Sequence, residues 1–248
     1  MEFGVWRRCS DMSNLRLSKK WKRRLAIWAG VLGVLFLWSA YPWVYWADPI
    51  KATVVDAQTK QPVEGVIVVA MWVLKGGMHR DEVGFLEVLE TVTDAEGRFY
   101  FDGWGPMRRP RWGILNTQDP EIFLFKDGYR FERLLNEHQG QATKGAMGRR
   151  STWNGKTIPL ERFEGEIKEY AQSLSYLSSR IHLVAVGSLP HRSCEWQKIP
   201  MLMLAVEEVE RRRKLANPRS IMRLVTTQSI HPIARCGSAD EYFGKFRP

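Results

Sequence analysis

VEGVIVVAMWVL, residues 63–74, is the stretch on which the fold of this 248-residue chain turns. Five valines, an isoleucine and a tryptophan among twelve residues favour a strand over a helix, because β-branched and aromatic side chains pack well on a pleated surface. Upstream, IKATVV (50–55) reads as a shorter strand, and DAQTKQP (56–62) between the two is a polar turn, so the pair is expected to form a hairpin. Downstream, the polar, Gly-bearing stretch 75–84 is expected to loop at one end of the sheet. Strands at Leu86–Thr93 and Arg98–Phe101 then flank the turn DAEG (94–97), where Gly97 supplies a positive φ. EIFLFK (121–126) and YRFERL (129–134) are joined by Asp127-Gly128, the strongest short hairpin signal, and KTIPL (156–160) is a last strand. Seven or so short strands with turns and no helix between them, and two apolar faces to bury, indicate a mainly β protein built as a β-sandwich.

The stretch IKATVVDAQTKQPVEGVIVVA, followed after an insertion by ETVTDAEGRFYFDGWG, resembles the carboxypeptidase regulatory-like domain, whose fold is a transthyretin-like (prealbumin-like) seven-stranded β-sandwich. Pro62, Gly65, Thr93, Asp94, Gly97 and Phe99 carry the resemblance, which covers Ile50–Leu135, about a third of the chain. It implies a non-catalytic module that binds, braces or displays in an exported, bacterial protein. The chain departs from the pattern in the insertion after the second strand and in the Arg-rich loop after Gly103. The same sandwich also houses 5-hydroxyisourate hydrolases, but their Tyr-Arg-Gly-Ser ending is replaced here by KFRP.

Toward the N-terminus the pattern changes from alternating to continuously apolar. LAIWAGVLGVLFLWSAYPWVYW (25–46) is 22 residues without a charge, and about 20 suffice to cross a bilayer as a helix. KKWKRR (19–24) precedes it and Asp48 follows, so the positive-inside bias places the N-terminus in the cytoplasm and the rest of the chain in the periplasm, behind a single-pass inner-membrane anchor. The rival, a cleaved signal peptide, lacks small residues where a peptidase needs them: Trp38 and Tyr45 occupy those positions ahead of Ala40 and Ala47. The tail starts at Met1 or Met12. The expected organisation is a basic tail (1–24), a transmembrane helix (25–46), a transthyretin-like sandwich (48–162) and a helical annex with a C-terminal tail (163–248). The net charge of +10 does not call for nucleic acid as a partner, because the first 24 residues, with eight Lys/Arg against two acids, hold six of it. The partners expected instead are membrane lipid and an envelope protein or glycan.

Beyond Phe163, apolar residues at Ile167, Tyr170, Leu174, Leu177, Ile181 and Val184 have helical spacing, as do Leu202, Ala205, Val206 and Val209. Glu207, Glu208 and Glu210 lie early on the second helix and RRRK (211–214) late, in the order that suits a helix dipole. These helices are expected to pack on each other or on an open face of the sandwich. Cys9 belongs to the basic tail, whereas Cys194 and Cys236 form an even pair in an oxidising compartment and are expected to be disulfide-bonded, with two buried free thiols as the alternative.

No catalytic, metal or cofactor constellation is expected. His79, His138, His182, His191 and His231 are dispersed without ligand spacing, DAEG is too short for a calcium loop, Ser188 and Ser193 lack a GxSxG setting, and Cys194 as a nucleophile with His191 or His231 is an unspecific alternative to the disulfide. The candidate binding surface is the loop WGPMRRPRW, in which Trp104 and Trp112 interleave with Arg108, Arg109 and Arg111. Such a set stacks on sugar rings and grips phosphates or carboxylates, or else plugs the end of the sandwich. The leading expectation is a membrane-tethered module that binds or braces a cell-envelope component. The alternative is a carbohydrate- or peptidoglycan-binding protein using this loop, and a hydrolase would require His or Cys residues to converge.

Overall fold

The computed structural model describes residues 19–40, 44–110, 113–116, 118–136, 148–186, 194–218, 223–230 and 236–247, the first of these without side chains beyond residue 35. The chain divides into two units, Met1–Pro42 and Trp43–Pro248.

The first unit holds helix α1 (Lys19–Ala40). Its basic turn and a half is followed by sixteen uncharged residues, Leu25 to Ala40, about 24 Å of helix against a hydrocarbon core of about 30 Å. The expected span 25–46 is therefore corrected. Val44–Ala47 leave the apolar run to form a strand, and among the described residues no helix is long and apolar enough to cross a membrane.

The second unit has strands β1 (Val44–Ala47), β2 (Ile50–Asp56), β3 (Ile67–Gly76), β4 (Asp81–Val92), β5 (Arg98–Phe101), β6 (Trp104–Arg108), β7 (Ile114–Leu115), β8 (Glu121–Phe125), β9 (Glu132–Leu134), β10 (Gly148–Arg149) and β11 (Thr157–Leu160). Helices α2 (Ile167–Ser173), α3 (Ser175–Val186), α4 (Pro200–Ala216) and α5 (Ala239–Gly244) follow. The strands make three sheets rather than a seven-stranded sandwich: β10-β1-β6, β11-β2-β5, and β4-β3-β8-β9 with β7 added on β3.

The large sheet explains why residues 63–74 are so continuously apolar. Side chains alternate along β3, and both of its faces are covered. Val66, Val68, Ala70, Trp72 and Leu74 join Ile50, Ala52, Val54, Phe99, Phe101, Ile158 and Leu160 of the facing sheet in one core. Ile67, Val69, Met71 and Val73 join Tyr170, Leu174, Leu177, Ile181, Leu202, Val206 and Val209 of the helices in a second. β8 divides its residues in the same way, Ile122 and Leu124 to the first core, Phe123 and Phe125 to the second. The second unit is thus a β-sandwich with a helical layer on the outer face of the larger sheet, and the helical spacing read after Phe163, split at Leu174 into α2 and α3, marks the residues that dock there.

Two expected hairpins do not form. β2 pairs with β5 and β11, not with β3. β4 and β5 likewise belong to different sheets, so DAEG is a corner by which the chain changes layers. The hairpin partner of β3 is β4, across the short turn 77–80, inside what reads as a loop, and β8 and β7 pair along its other edge. At the DAEG corner, Gly97 has φ +71° and its carbonyl accepts the Val54 amide at 2.7 Å; a Cβ there would lie 2.3 Å from the Val54 carbonyl oxygen. Thr93 Oγ1 donates to the Val63 carbonyl (2.7 Å) and accepts the Val66 amide (2.9 Å), stitching the corner to the start of β3. Asp127 and Gly128 make the turn, with the Tyr129 amide donating to the Lys126 carbonyl (3.0 Å), and β8 and β9 pair antiparallel, but the expected strand 129–134 is shortened to Glu132–Leu134 because Tyr129 bridges to Arg162.

Candidate functional site

The smallest sheet, β10-β1-β6, carries the surface of interest. In β1, Tyr45 and Ala47 point into the core while Val44 and Trp46 point out. Opposite them on β6, Tyr45 pairs with Met107 and Val44 with Arg108, so Arg108 shares the outer face with Trp46. The register shifts between Tyr45 and Ala47, and Gly105 occupies that bulge at φ +105°, where a Cβ would meet Trp46 at 2.7 Å. On the other side Trp46 pairs with Gly148, whose absent side chain lets the indole lie against the backbone. Trp46, Ala47, Gly103, Trp104, Gly105 and Pro106 line a shallow open groove.

The fates of the five predicted ligand-binding residues differ. Trp104 turns inward, half buried, its ring edge-on to Trp72 at 5.3 Å, which is the plugging role. Arg108 and Arg109 are exposed. Arg111 and Trp112 lie outside the described residues. The stretch WGPMR is a strand rather than an irregular loop, because β1 supplies its partner. Trp46, which the sequence places in the membrane span, is the residue missed; the alternation of VYWA is the signal that could have found it.

Beneath this sheet Arg149 points inward, its guanidinium 5.7 Å from the Tyr45 ring centre and donating to the Leu115 carbonyl (3.3 Å). Burial pushes the neighbouring Asp119 carboxyl well above the usual carboxylate range, against the pull of Arg149.

Other charged clusters are occupied by one another. Asp56, buried, accepts the Thr59 (2.9 Å) and Gln58 (3.0 Å) amides, the Arg162 guanidinium (2.7 Å) and the Tyr129 hydroxyl (3.2 Å). The Thr59 amide above all, then Arg162, hold its carboxyl well below the ordinary range. RRRK is no free basic patch: Arg211 pairs with Glu208, Arg212 with Asp127, and Arg213 with buried Glu210. Cys194 is disulfide-bonded to Cys236 and so offers no nucleophile. His79 and His182 are exposed on different elements, and the other three histidines lie outside the described residues. Among the described residues no group of three or more His, Cys, Asp or Glu could hold a metal ion.

Strand β4 ties the sheet to the helical layer through carboxylates. Glu82 meets Arg180 of α3, and Glu87 meets Lys198 (2.6 Å) just before α4. Glu90 accepts the Met201 (2.9 Å) and Leu202 (2.8 Å) amides at the start of α4, whose own cap residue Ile199 has no side chain able to do so. Burial outweighs these two hydrogen bonds and pushes the Glu90 carboxyl up to about 7. Its pKa in the unfolded chain is about 4.3, so the folded state holds the extra proton between those values. Glu90 therefore contributes stability that is fully present below about pH 4.3 and is lost as pH rises through about 7. Chemical denaturation across that window is expected to show wild type losing about 3–4 kcal/mol relative to Glu90→Gln. Equal pH slopes for the two proteins would mean that the carboxyl is hydrated.

The class that this geometry defines is a disulfide-closed β-sandwich module with a helical outer layer. No protein-family model and no curated protein matches the chain. Among solved structures it is similar to 3-chlorocatechol 1,2-dioxygenase from Rhodococcus opacus 1CP (14% identity, TM-score 0.29), covering 50% of this chain and 62% of that one. It is also similar to the pilus 2b backbone protein of group B streptococcus (14%, TM-score 0.25, covering 47% and 41%). A third is the dioxygenase domain of a dioxygenase carbohydrate-binding protein fusion from Streptomyces sp. SirexAA-E (16%, TM-score 0.28, covering 49% and 81%). The chain thus spans under two thirds of the first two proteins' length. Values this low carry no argument about activity, and the fold described above rests on the chain's own strand pairing and cores.

Proposed function

We propose that this chain is a non-catalytic, membrane-tethered module whose folded unit lies in the periplasm and binds or braces a component of the cell envelope. The observation that carries the reading is the Cys194–Cys236 disulfide, since such bonds persist in oxidising compartments. Helix α1 supports the tether. Trp28, Val31, Leu32, Val34 and Leu35 are all exposed, as suits a helix solvated by lipid, and Lys19, Lys20, Lys22, Arg23 and Arg24 form a basic collar at its start. Sixteen uncharged residues serve as a single-pass inner-membrane anchor if the flanking lysines and arginines extend their ammonium and guanidinium groups to the headgroups and the bilayer thins locally. The kinship to carboxypeptidase regulatory-like domains belongs to the same proposal. It is supported by the roles of Thr93 and Gly97 at the layer-changing corner and of Phe99 in the core.

The test is labelling with a membrane-impermeant thiol reagent on cells opened only at the outer envelope, with and without reductant. Cys194 and Cys236 are expected to label only after reduction, in a chain that stays with the membrane fraction and keeps its N-terminal segment. Labelling without reductant, or only once the inner membrane is broken, would sink the proposal.

A further inference from the structure

We propose that the outer face of the β10-β1-β6 sheet binds an acidic glycan, with a sugar ring stacked on Trp46 and a carboxylate or phosphate of the same glycan held by Arg108. This deepens the reading above, since it names the ligand class of the module proposed there.

Three features of the face carry the inference. The first is an aromatic platform fixed in advance. Trp46 is 41% exposed, yet its backbone is held between two strands and its indole rests against Gly148, so little conformational freedom remains to be lost on binding. The second is room beside the ring. Gly103 and Gly105 present no side chain along the groove, and Pro106 bounds it with a flat, apolar surface. The third is charge. Arg108 is on the same face, and Arg150 follows β10 directly, strongly exposed, with one carboxylate, Asp48, at 2.7 Å. An arginine beside an aromatic plane suits a ring bearing an anion, through a guanidinium fork and a face contact at once.

A lipid surface suits this face less well. Trp46 is its one large, exposed apolar side chain among the described residues, with Val44 half buried, so little apolar area is available to enter a bilayer.

The experiment uses the full chain in mild detergent, titrated with oligogalacturonate, with a neutral maltooligosaccharide, and separately, after detergent removal, with vesicles of anionic phosphatidylglycerol. Hydrogen exchange over residues 44–47 and 104–108 and the intrinsic tryptophan emission are the readouts. Oligogalacturonate is expected to protect both segments, with affinity falling about tenfold in Trp46→Ala and by a similar factor in Arg108→Gln, the size of one lost stacking or charged contact. Arg108→Glu, a surface change that leaves the core untouched, abolishes binding if the inference is right. Failure of oligogalacturonate to protect these segments, equal binding of the neutral sugar, or protection by vesicles alone would overturn it. Failure of the tether or of export shows in the thiol-labelling pattern and leaves this titration unaffected, so the two proposals fail separately.

Discussion

Glu121→Ala is expected to destabilise the folded unit by about 3–5 kcal/mol, because it removes the central anion of a buried charge cluster and leaves its cations behind. Glu121 opens β8 and is 3% exposed. Its oxygens accept the Arg180 guanidinium (2.7 Å), the Tyr176 hydroxyl (2.9 Å) and the close approach of Arg133. Arg180, on α3, is as deeply buried and otherwise has Glu82 and the Phe85 ring for company. Without Glu121, buried Arg180 keeps Glu82 as its one remaining carboxylate partner and has little water to compensate, whereas Arg133, partly exposed, can turn to solvent. The cluster also joins the first residue of β8 to the helical layer, so the substitution loosens α3 from the sheet.

Two controls separate charge from packing. Glu121→Gln keeps the shape and a hydrogen-bond acceptor but not the charge, and is expected to cost less than the alanine variant. Combining Glu121→Leu with Arg180→Met removes both ions and is expected to recover most of the loss, since an apolar pair of similar volume often replaces a buried ion pair without net cost. Denaturant titration of the full chain in detergent measures all three. A loss under 1 kcal/mol for the alanine variant would show that the cluster is hydrated.

Replacing Cys194 and Cys236 together by serine is expected to cost about 3–4 kcal/mol. The two residues are 42 apart, and opening a loop of that length restores to the unfolded chain the entropy that the bond withholds. What the bond secures is specific. Trp196, two residues beyond Cys194, is wholly buried against Tyr242 and Phe243 of α5 at ring separations of 5.2 and 5.5 Å. Tyr242 donates to the Gln197 carbonyl (2.6 Å), and Gln197 donates to the Cys236 carbonyl (2.9 Å). Reductant added to wild type reproduces the serine variant if the bond alone is responsible. Equal denaturation midpoints with and without reductant would show that the aromatic cluster holds the C-terminal segment by itself.

Patterning in the sequence was enough to assign the main apolar strands and the docked helices. The β-branched run at 63–74, the three-and-four spacing after Phe163 and at 202–209, the Asp127-Gly128 turn and the Cys194–Cys236 pair are all legible because each depends on local geometry or on composition, and the folded unit realises every one of them. Alternation along a strand records burial but not the identity of the neighbour. For that reason β2 and β3 read as a hairpin, whereas the burial of Ile50, Ala52 and Val54 against the even-numbered face of β3 places them in opposite layers. The same limit hid the candidate site. A tryptophan four residues past a proline at the end of an apolar run looks like part of that run, and only pairing with residues about 60 and about 100 positions away made Trp46 an exposed platform on the face that carries Arg108. Buried charges such as Glu121 and Arg180 were equally invisible, because a single ionic residue carries no period and its partner is chosen by the packing of elements distant in sequence.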